Sequence, residues 1–260
     1  RAAAAHGDVS AAVDDWLGRN YAGMDWKLFA DDWRRMHGPN GPPVETMDWR
    51  SLPLSHPMAP LTGVVLYALS VILLKRFMRN REAIHLRKTM FVHNTLLCVI
   101  SLAMFVGVTW EAGRLWYERG FATIWIDHDW YMPRSGLPFW CYVFYLSKYY
   151  ELLDTGFLLL KKREPEFVQL WHHAVVLVLF WSYMEARMMN HWWLVWANSF
   201  VHIFVYGYFA AATLHIEVWF KPYITILQIS QFVFDMAYSL PFPLLRIPGA
   251  TRGDWEPWWF

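Results

Sequence analysis

A chain of 260 residues that is 56% hydrophobic and 19% aromatic but only 17% charged is poorly suited to a water-soluble fold, because soluble domains carry about 25% charged residues. The formal net charge of +1 decides nothing by its size, although its distribution along the chain does. Cys98 and Cys141 both fall in apolar segments and form neither a disulfide framework nor a metal pattern, so they read as packing residues.

The chain begins at Arg1 rather than Met, which leads us to expect a fragment or trimmed form. Asp14, Asp15, Asp25 and Asp31 break up the N-terminal stretch, which does not read as a signal peptide. Residues 1–57 mix charges with Trp16, Trp26 and Trp33 and run into Gly38-Pro39-Asn40-Gly41-Pro42-Pro43. This predicts a lumenal or interfacial segment of one or two short helices followed by a linker.

Residues 58–260 read as a transmembrane domain. Apolar spans are predicted over 59–77, 90–112, 138–160, 168–186, 191–212 and 223–242, each near the ~20 residues that cross hydrocarbon. No period-2 pattern appears, so the expected class is an all-α polytopic membrane protein. The aromatic run at 255–260 (Trp255, Trp258, Trp259, Phe260) looks like the start of a further span, and we expect a seventh helix beyond it.

Orientation follows from the short loops. Lys75, Arg76, Arg79, Arg81, Arg87 and Lys88 follow the first span, Lys161, Lys162 and Arg163 the third, and Lys221 the fifth. The positive-inside rule then places 75–88, 161–166 and 213–221 in the cytosol and the N-terminus in a lumen or outside. Trp192, Trp193 and Trp196 would sit in the lumenal aromatic belt.

Four spans carry polar clusters. These are Lys148, Glu151, Asp154 and Thr155; Gln169, His172 and His173; Asn198, His202, Tyr206 and Tyr208; and Thr225, Gln228 and Gln231. Polar side chains in hydrocarbon are expensive and read first as functional. Asp154 and His172 are equidistant from residue 163, His172 and His202 from residue 187, and His202 and Gln231 from about residue 216. In antiparallel helices mirror positions share a height, here roughly 14 Å below the basic loop. The clusters are therefore expected to form one layer on the cytosolic side of the midplane, with Asp154, His172, His202 and Gln231 lining a shared cavity.

Histidines, a lysine, carboxylates, hydroxyls and amides suit acid–base or nucleophilic acyl chemistry. Lys148 is either a donor for an anionic group or the structural partner of Glu151 or Asp154. A membrane di-iron desaturase or hydroxylase is an alternative, since Gln169-x-x-His172-His173 resembles one of its histidine boxes. His6, His37, His56, His85, His93, His128, His191, His202 and His215 form no second such box. A transporter or photoreceptor is another alternative, but no internal repeat marks one.

These residues resemble the ELO family of fatty acid elongases. Lys148-Tyr-Tyr-Glu151-Leu-Leu-Asp154-Thr155 matches K-x-x-E-x-x-D-T, and Gln169-Leu-Trp-His172-His173 resembles H-x-x-H-H. Asn198 to Phe209 resembles N-x-x-x-H-x-x-M-Y-x-Y-Y, and Thr225-Ile-Leu-Gln228-Ile-Ser-Gln231 matches T-x-x-Q-x-x-Q. Gln169 replaces the first box histidine, a variant similar to algal and protist polyunsaturated-fatty-acid elongases. Val205 and Phe209 replace a methionine and a tyrosine.

The resemblance implies a seven-helix endoplasmic-reticulum protein with six helices around an acyl tunnel. It implies decarboxylative condensation of a long-chain, polyunsaturated acyl-CoA with malonyl-CoA to 3-oxoacyl-CoA, carbon dioxide and CoA. No metal or redox cofactor is implied. The implied partners are membrane lipid and the ketoacyl-CoA reductase, hydroxyacyl-CoA dehydratase and enoyl-CoA reductase of the cycle. Nucleic acid is not among them, and a homodimer stays open.

On this reading the catalytic set is His172, His202, Asp154 and His173. His172 attacks the thioester, Asp154 orients it, and His202 moves protons or stabilises charge. His173, ~100° away on the helix, faces either the site or a neighbouring helix. Lys148, Glu151, Thr155, Gln169, Asn198, Tyr206, Gln228 and Gln231 are expected to bind substrate, with Asn198, Tyr206, Gln228 and Gln231 as hydrogen-bond donors. The rival mechanism is a ternary complex in which His172 is only a base.

Overall fold

The computed structural model describes Met47 and residues 49–119, 135–186 and 191–239. Residues 1–46 fall outside this set. The interfacial helices expected there, and the further span expected from 255–260, lie outside the described residues.

Every regular element among the described residues is helical. The α-helices are α1 (Met58–Met78), α2 (Arg87–Arg119), α3 (Leu137–Glu151), α4 (Leu153–Leu160), α5 (Phe167–Glu185), α6 (His191–Thr213) and α7 (Ile224–Ser239). α1, α2, α5 and α6 are each long and apolar enough to cross a membrane. α3 and α4 meet end to end at Leu152 and together fill the third expected span.

Two boundaries depart from the sequence pattern. α2 has 33 residues, about 50 Å at 1.5 Å per residue, and outruns the ~30 Å hydrocarbon core. The apolar run marks only its middle, and the flanking Arg, Lys and Glu are themselves good helix formers. The break at Leu152 has no Pro or Gly to announce it. There the Leu152 N–H bonds three residues back to Tyr149 O at 3.3 Å, a tighter turn than α.

Inter-helix bonds fix the directions. Arg87 Nε donates to Thr213 O at 2.7 Å, Cys98 Sγ to Ile203 O at 3.5 Å, and Trp196 Nε1 to Thr109 Oγ1 at 2.9 Å. Numbers rise on α2 as they fall on α6, so these helices are antiparallel. α1 instead runs parallel to α3 and α4: Tyr67 pairs with Thr155 and Lys75 with Glu164.

The basic connections gather at one end of the bundle. Ile84 N bonds Leu160 O at 2.9 Å and Lys162 Nζ reaches Arg79 O at 3.4 Å. α4 and α6 both stop there in the same way. Lys162 (φ 57°) and His215 (φ 62°) take the left-handed conformation. Arg163 N then bonds Leu158 O at 2.9 Å, and Ile216 N bonds Ala211 O at 3.0 Å, satisfying carbonyls the helix leaves open.

The opposite end is closed by residues 49–55. Trp49, 5% exposed, packs edge-on against Tyr142 and Tyr145 at 6.1 and 5.6 Å between ring centres. Its Nε1 donates to Glu185 Oε2 at 2.9 Å. Tyr142 and Tyr145 donate to Pro53 O and Leu54 O at 3.1 and 3.0 Å, and Trp181 donates to Ser55 O at 2.7 Å.

Beneath this strap lies an apolar core that includes Met104, Val108, Leu115, Phe144, Leu177, Phe180 and Val195. α2 can approach α3 there only because residue 107 is glycine. A Cβ on Gly107 would lie 2.0 Å from Trp140 Cε2. The bundle is thus divided along its length, with hydrocarbon filling the strap end and the polar clusters in the half near the basic loops.

Candidate functional site

The polar layer is built on a ladder between α3–α4 and α6. Lys148 Nζ donates to Asn198 Oδ1 at 3.0 Å. His202 Nδ1 lies 3.8 Å from Glu151 Oε1. Tyr206 OH donates to Asp154 Oδ2 at 2.8 Å. Numbers rise together on both helices, so the helices run parallel, and each rung is one turn from the next. Residues three or four apart share a helix face, which is why these two spacings meet.

Each buried charge in the ladder has partners. Lys148 and Glu151 side chains are each 3% exposed, with Nζ 2.8 and 3.0 Å from the two carboxylate oxygens. Ser147 Oγ adds a bond to Glu151 Oε1 at 3.3 Å, and the ammonium sits 4.0 Å from the centre of the Phe144 ring. A buried ion pair persists only when further hydrogen bonds complete it, and here they do. Of the two roles open to Lys148, the geometry displays the structural one: its donors are already committed inside the protein.

Asp154 likewise faces a different set of partners from the one expected. Its Oδ1 lies 2.7 Å from His93 Nε2 and its Oδ2 accepts from Tyr206. It therefore holds α2 and α6 rather than orienting His172. The height argument also needs correction, since His202 stands opposite Glu151 and not Asp154. The mirror rule assumes upright helices. Membrane helices tilt by about 20°, which displaces neighbours ~8–10 Å apart by about 3–4 Å, roughly two residues of helix rise.

α5 supplies the histidine pair. His172 and His173 are 5.9 Å apart by ring centres. His172, half-buried, packs edge-on to Phe232 of α7 at 6.0 Å. His173 is buried and lies edge-on to Tyr67 at 6.2 Å. Both are within electrostatic reach of Lys148 and His202. Gln169 is half-buried one turn away.

The remaining residues are placed as follows. Thr155 is bonded to Tyr67 at 2.8 Å. Gln228 is exposed, and Gln231 Nε2 donates to Asp235 Oδ2 at 3.0 Å on its own helix. The ladder therefore joins Lys148, Glu151, Asp154, Asn198, His202 and Tyr206, while α7 meets α5 through the Phe232 ring. Sequence reasoning passed over Tyr67 and His93. The signal for His93 was its pairing with Asn94, two polar residues side by side in an otherwise apolar span. Among the described residues, no group of three or more His, Cys, Asp or Glu side chains is arranged to hold a metal ion.

Fold and site together define a multi-pass helical membrane protein with a buried acid–base layer near one face. The chain belongs to the ELO: GNS1/SUR4 family, whose model matches residues 52–246. It is 35% identical over 192 residues to fatty acid elongase sre1 of Dictyostelium discoideum, covering 73% of this chain and 72% of that one. Fatty acid elongase A of the same organism is 34% identical over 207 residues, covering 76% and 74%. Very long chain fatty acid elongase 5 of Tachysurus fulvidraco is 29% identical over 215 residues, covering 79% and 69%. This is a fatty acid elongase family member.

Proposed function

We propose that this chain condenses a long-chain acyl-CoA, polyunsaturated by preference, with malonyl-CoA, working as a 3-oxoacyl-CoA synthase. The observation that carries the reading is the contrast between the ladder and α5. Every ladder charge is tied down, whereas His172 makes aromatic contacts only and keeps its ring nitrogens uncommitted among the described residues. An uncommitted neutral imidazole is a competent nucleophile near neutral pH.

In the first half-reaction a His172 nitrogen attacks the thioester carbonyl, the C–S bond breaks, and CoA leaves as the thiol with the proton given up by the ring. In the second, malonyl-CoA loses carbon dioxide, and the resulting enolate carbon attacks the acyl carbon. The C–N bond then breaks and the leaving imidazole takes up a proton from solvent, the one proton the overall condensation consumes. In this reading His202 and the amide N–H groups of Asn198 stabilise charge at the thioester carbonyl. His173 supports the pair from the Tyr67 side. Gln169, Gln228 and Gln231 line the approach. The residues themselves need no cofactor for this chemistry.

We further assign the basic end to the cytosol and the strap end, with the N-terminus, to the endoplasmic-reticulum lumen. The 3-oxo product calls for a reductase, a dehydratase and an enoyl reductase to complete a cycle. The test is to incubate the purified chain with radiolabelled malonyl-CoA and a panel of acyl-CoAs, then size the products. A product two carbons longer than its acyl-CoA is expected. Absence of labelled product across the panel would end the reading.

A further inference from the structure

His93 on α2 is a deeply buried group that touches the layer and has no role in the scheme above. Its side chain is 3% exposed, and its ring lies 4.9 Å from the ring centres of both Tyr150 and Phe157. Nε2 meets Asp154 Oδ1 at 2.7 Å, while Nδ1 is buried with no partner among the described residues.

That asymmetry decides where the proton sits. A neutral ring protonated on Nε2 donates to the carboxylate and leaves only a lone pair unmatched. The other tautomer would turn a lone pair towards Asp154 and bury an unmatched N–H. An imidazolium would also bury an unmatched N–H, now on a charged ring. A stranded buried donor is costly, and more so on a charged group. His93 is therefore the donor. Asp154 then receives one bond on each oxygen, from α2 and from α6, and its carboxylate plane is held at both ends.

We infer that His93 is a positioning residue of the site: through Asp154 it sets the direction of the Tyr206 hydroxyl, one turn along α6 from His202. Asp154 pinned on one side accepts the Tyr206 proton from a single direction. The phenol oxygen then presents its lone pairs to the layer in a fixed orientation. The activity arm of the test rests on the condensation reading; the stability arm does not.

The test uses the purified full chain carrying His93→Ala, His93→Phe or His93→Gln. Phe keeps the ring volume without the donor. Gln places an amide N–H near the position of Nε2. For Ala and Phe, kcat should fall by about tenfold or more, the rate equivalent of one lost hydrogen bond to a charged group. KM for both CoA substrates should stay within about twofold. Gln should restore most of the lost kcat. Full activity in the Phe variant, or a Gln variant as impaired as Phe, would reduce His93 to packing and overturn the inference. So would a loss confined to KM.

A parent protein inactive on every acyl-CoA would instead count against the condensation reading. Thermal midpoints in detergent decide the inference in that case. His93→Ala and Tyr206→Phe should shift the midpoint by less together than the sum of their separate shifts, since both act on one carboxylate. Additive shifts would overturn it.

Discussion

Tyr206 gives its single hydroxyl proton to Asp154, 2.8 Å away, and so meets the interior of the layer as a hydrogen-bond acceptor. The family pattern at Tyr206 suggested a donor to substrate. A phenol has one proton to give, and here it is already given. A substrate group approaching Tyr206 must bring its own proton, or Asp154 must first be protonated.

Tyr206→Phe removes one of the two bonds to a part-buried carboxylate, worth about 1.5–3 kcal/mol for a charged acceptor. Thermal unfolding in detergent should register a loss of that size. Asp154→Asn should harm turnover more than Tyr206→Phe. Its amide must turn a donor towards either His93 or Tyr206, and the second choice reverses the polarity of the phenol. Equal turnover in the two variants would show that the phenol's polarity is not used.

The histidine box is expected to tolerate change at one end only. Gln169→His should leave condensation within about tenfold, ~1.4 kcal/mol of barrier, because no hydrogen bond fixes the half-buried Gln169 side chain among the described residues. His172→Ala should be far worse. Comparable losses in labelled-malonyl assays would mean that the uncommitted nitrogens of His172 are not the reactive ones.

Covalent and ternary-complex chemistry differ before malonyl-CoA is added. With His172 as nucleophile, acyl-CoA alone should release up to one CoA per active protein, because the first half-reaction runs by itself. Mass spectrometry should find the acyl group on the 169–173 segment, removable by hydroxylamine and absent from His172→Ala. CoA release that strictly requires malonyl-CoA, with no adduct, would assign His172 the part of a base.

Two glycines on one helix should respond with opposite signs. Gly107→Ala drives a methyl into the Trp140 indole, which would lie 2.0 Å away, and overpacking of this kind costs about 1–3 kcal/mol. Gly113→Ala meets nothing within 4 Å and should gain up to about 1 kcal/mol from helix propensity. Thermal midpoints of the pair check both.

At the strap, Trp49→Ala should cost about 3–5 kcal/mol, as for other buried large-to-small changes. Its neighbour Arg50 also pairs with Glu185, at 2.8 Å, but its side chain is 80% exposed. Arg50→Ala should therefore cost less than about 1 kcal/mol. A similar midpoint loss in both would place the strap's strength in the Glu185 pairing and not in the buried indole.

Much of this was legible before any coordinates. Apolar runs near the length of a span mark helices directly, and the basic loops identify the end where 79–87, 161–166 and 214–216 gather. The spacing of Lys148, Glu151 and Asp154, and of Asn198, His202 and Tyr206, already put each trio on one helix face. Which member of one trio meets which member of the other was not legible, because tilt slides neighbouring helices past each other by a distance no single-helix period contains. The Asp154–His93 bond was hidden for a similar reason. The two residues are 61 positions apart, and a histidine beside an asparagine in an apolar run looks the same whether it packs or donates. Nothing in the pattern of residues 1–57 singles out Trp49. Only the fold shows that its segment doubles back over the bundle.

The ladder also has a mechanical meaning. Its three rungs are each one turn from the next, so rotating α6 against α3 by a single residue would swing every partner away by about 100° at once. Arg87–Thr213 and His93–Asp154 rivet α2 to the same body. α5 and α7 meet that body through ring contacts such as Phe144–Phe180 and Trp193–Phe234, each worth about 0.5–1.5 kcal/mol. α5 is moored to the strap at its Glu185 end, while His172 rides near the other. Breathing of the bundle is then cheapest as a swing of α5 about its strapped end, which moves the reactive ring and leaves the charged ladder still.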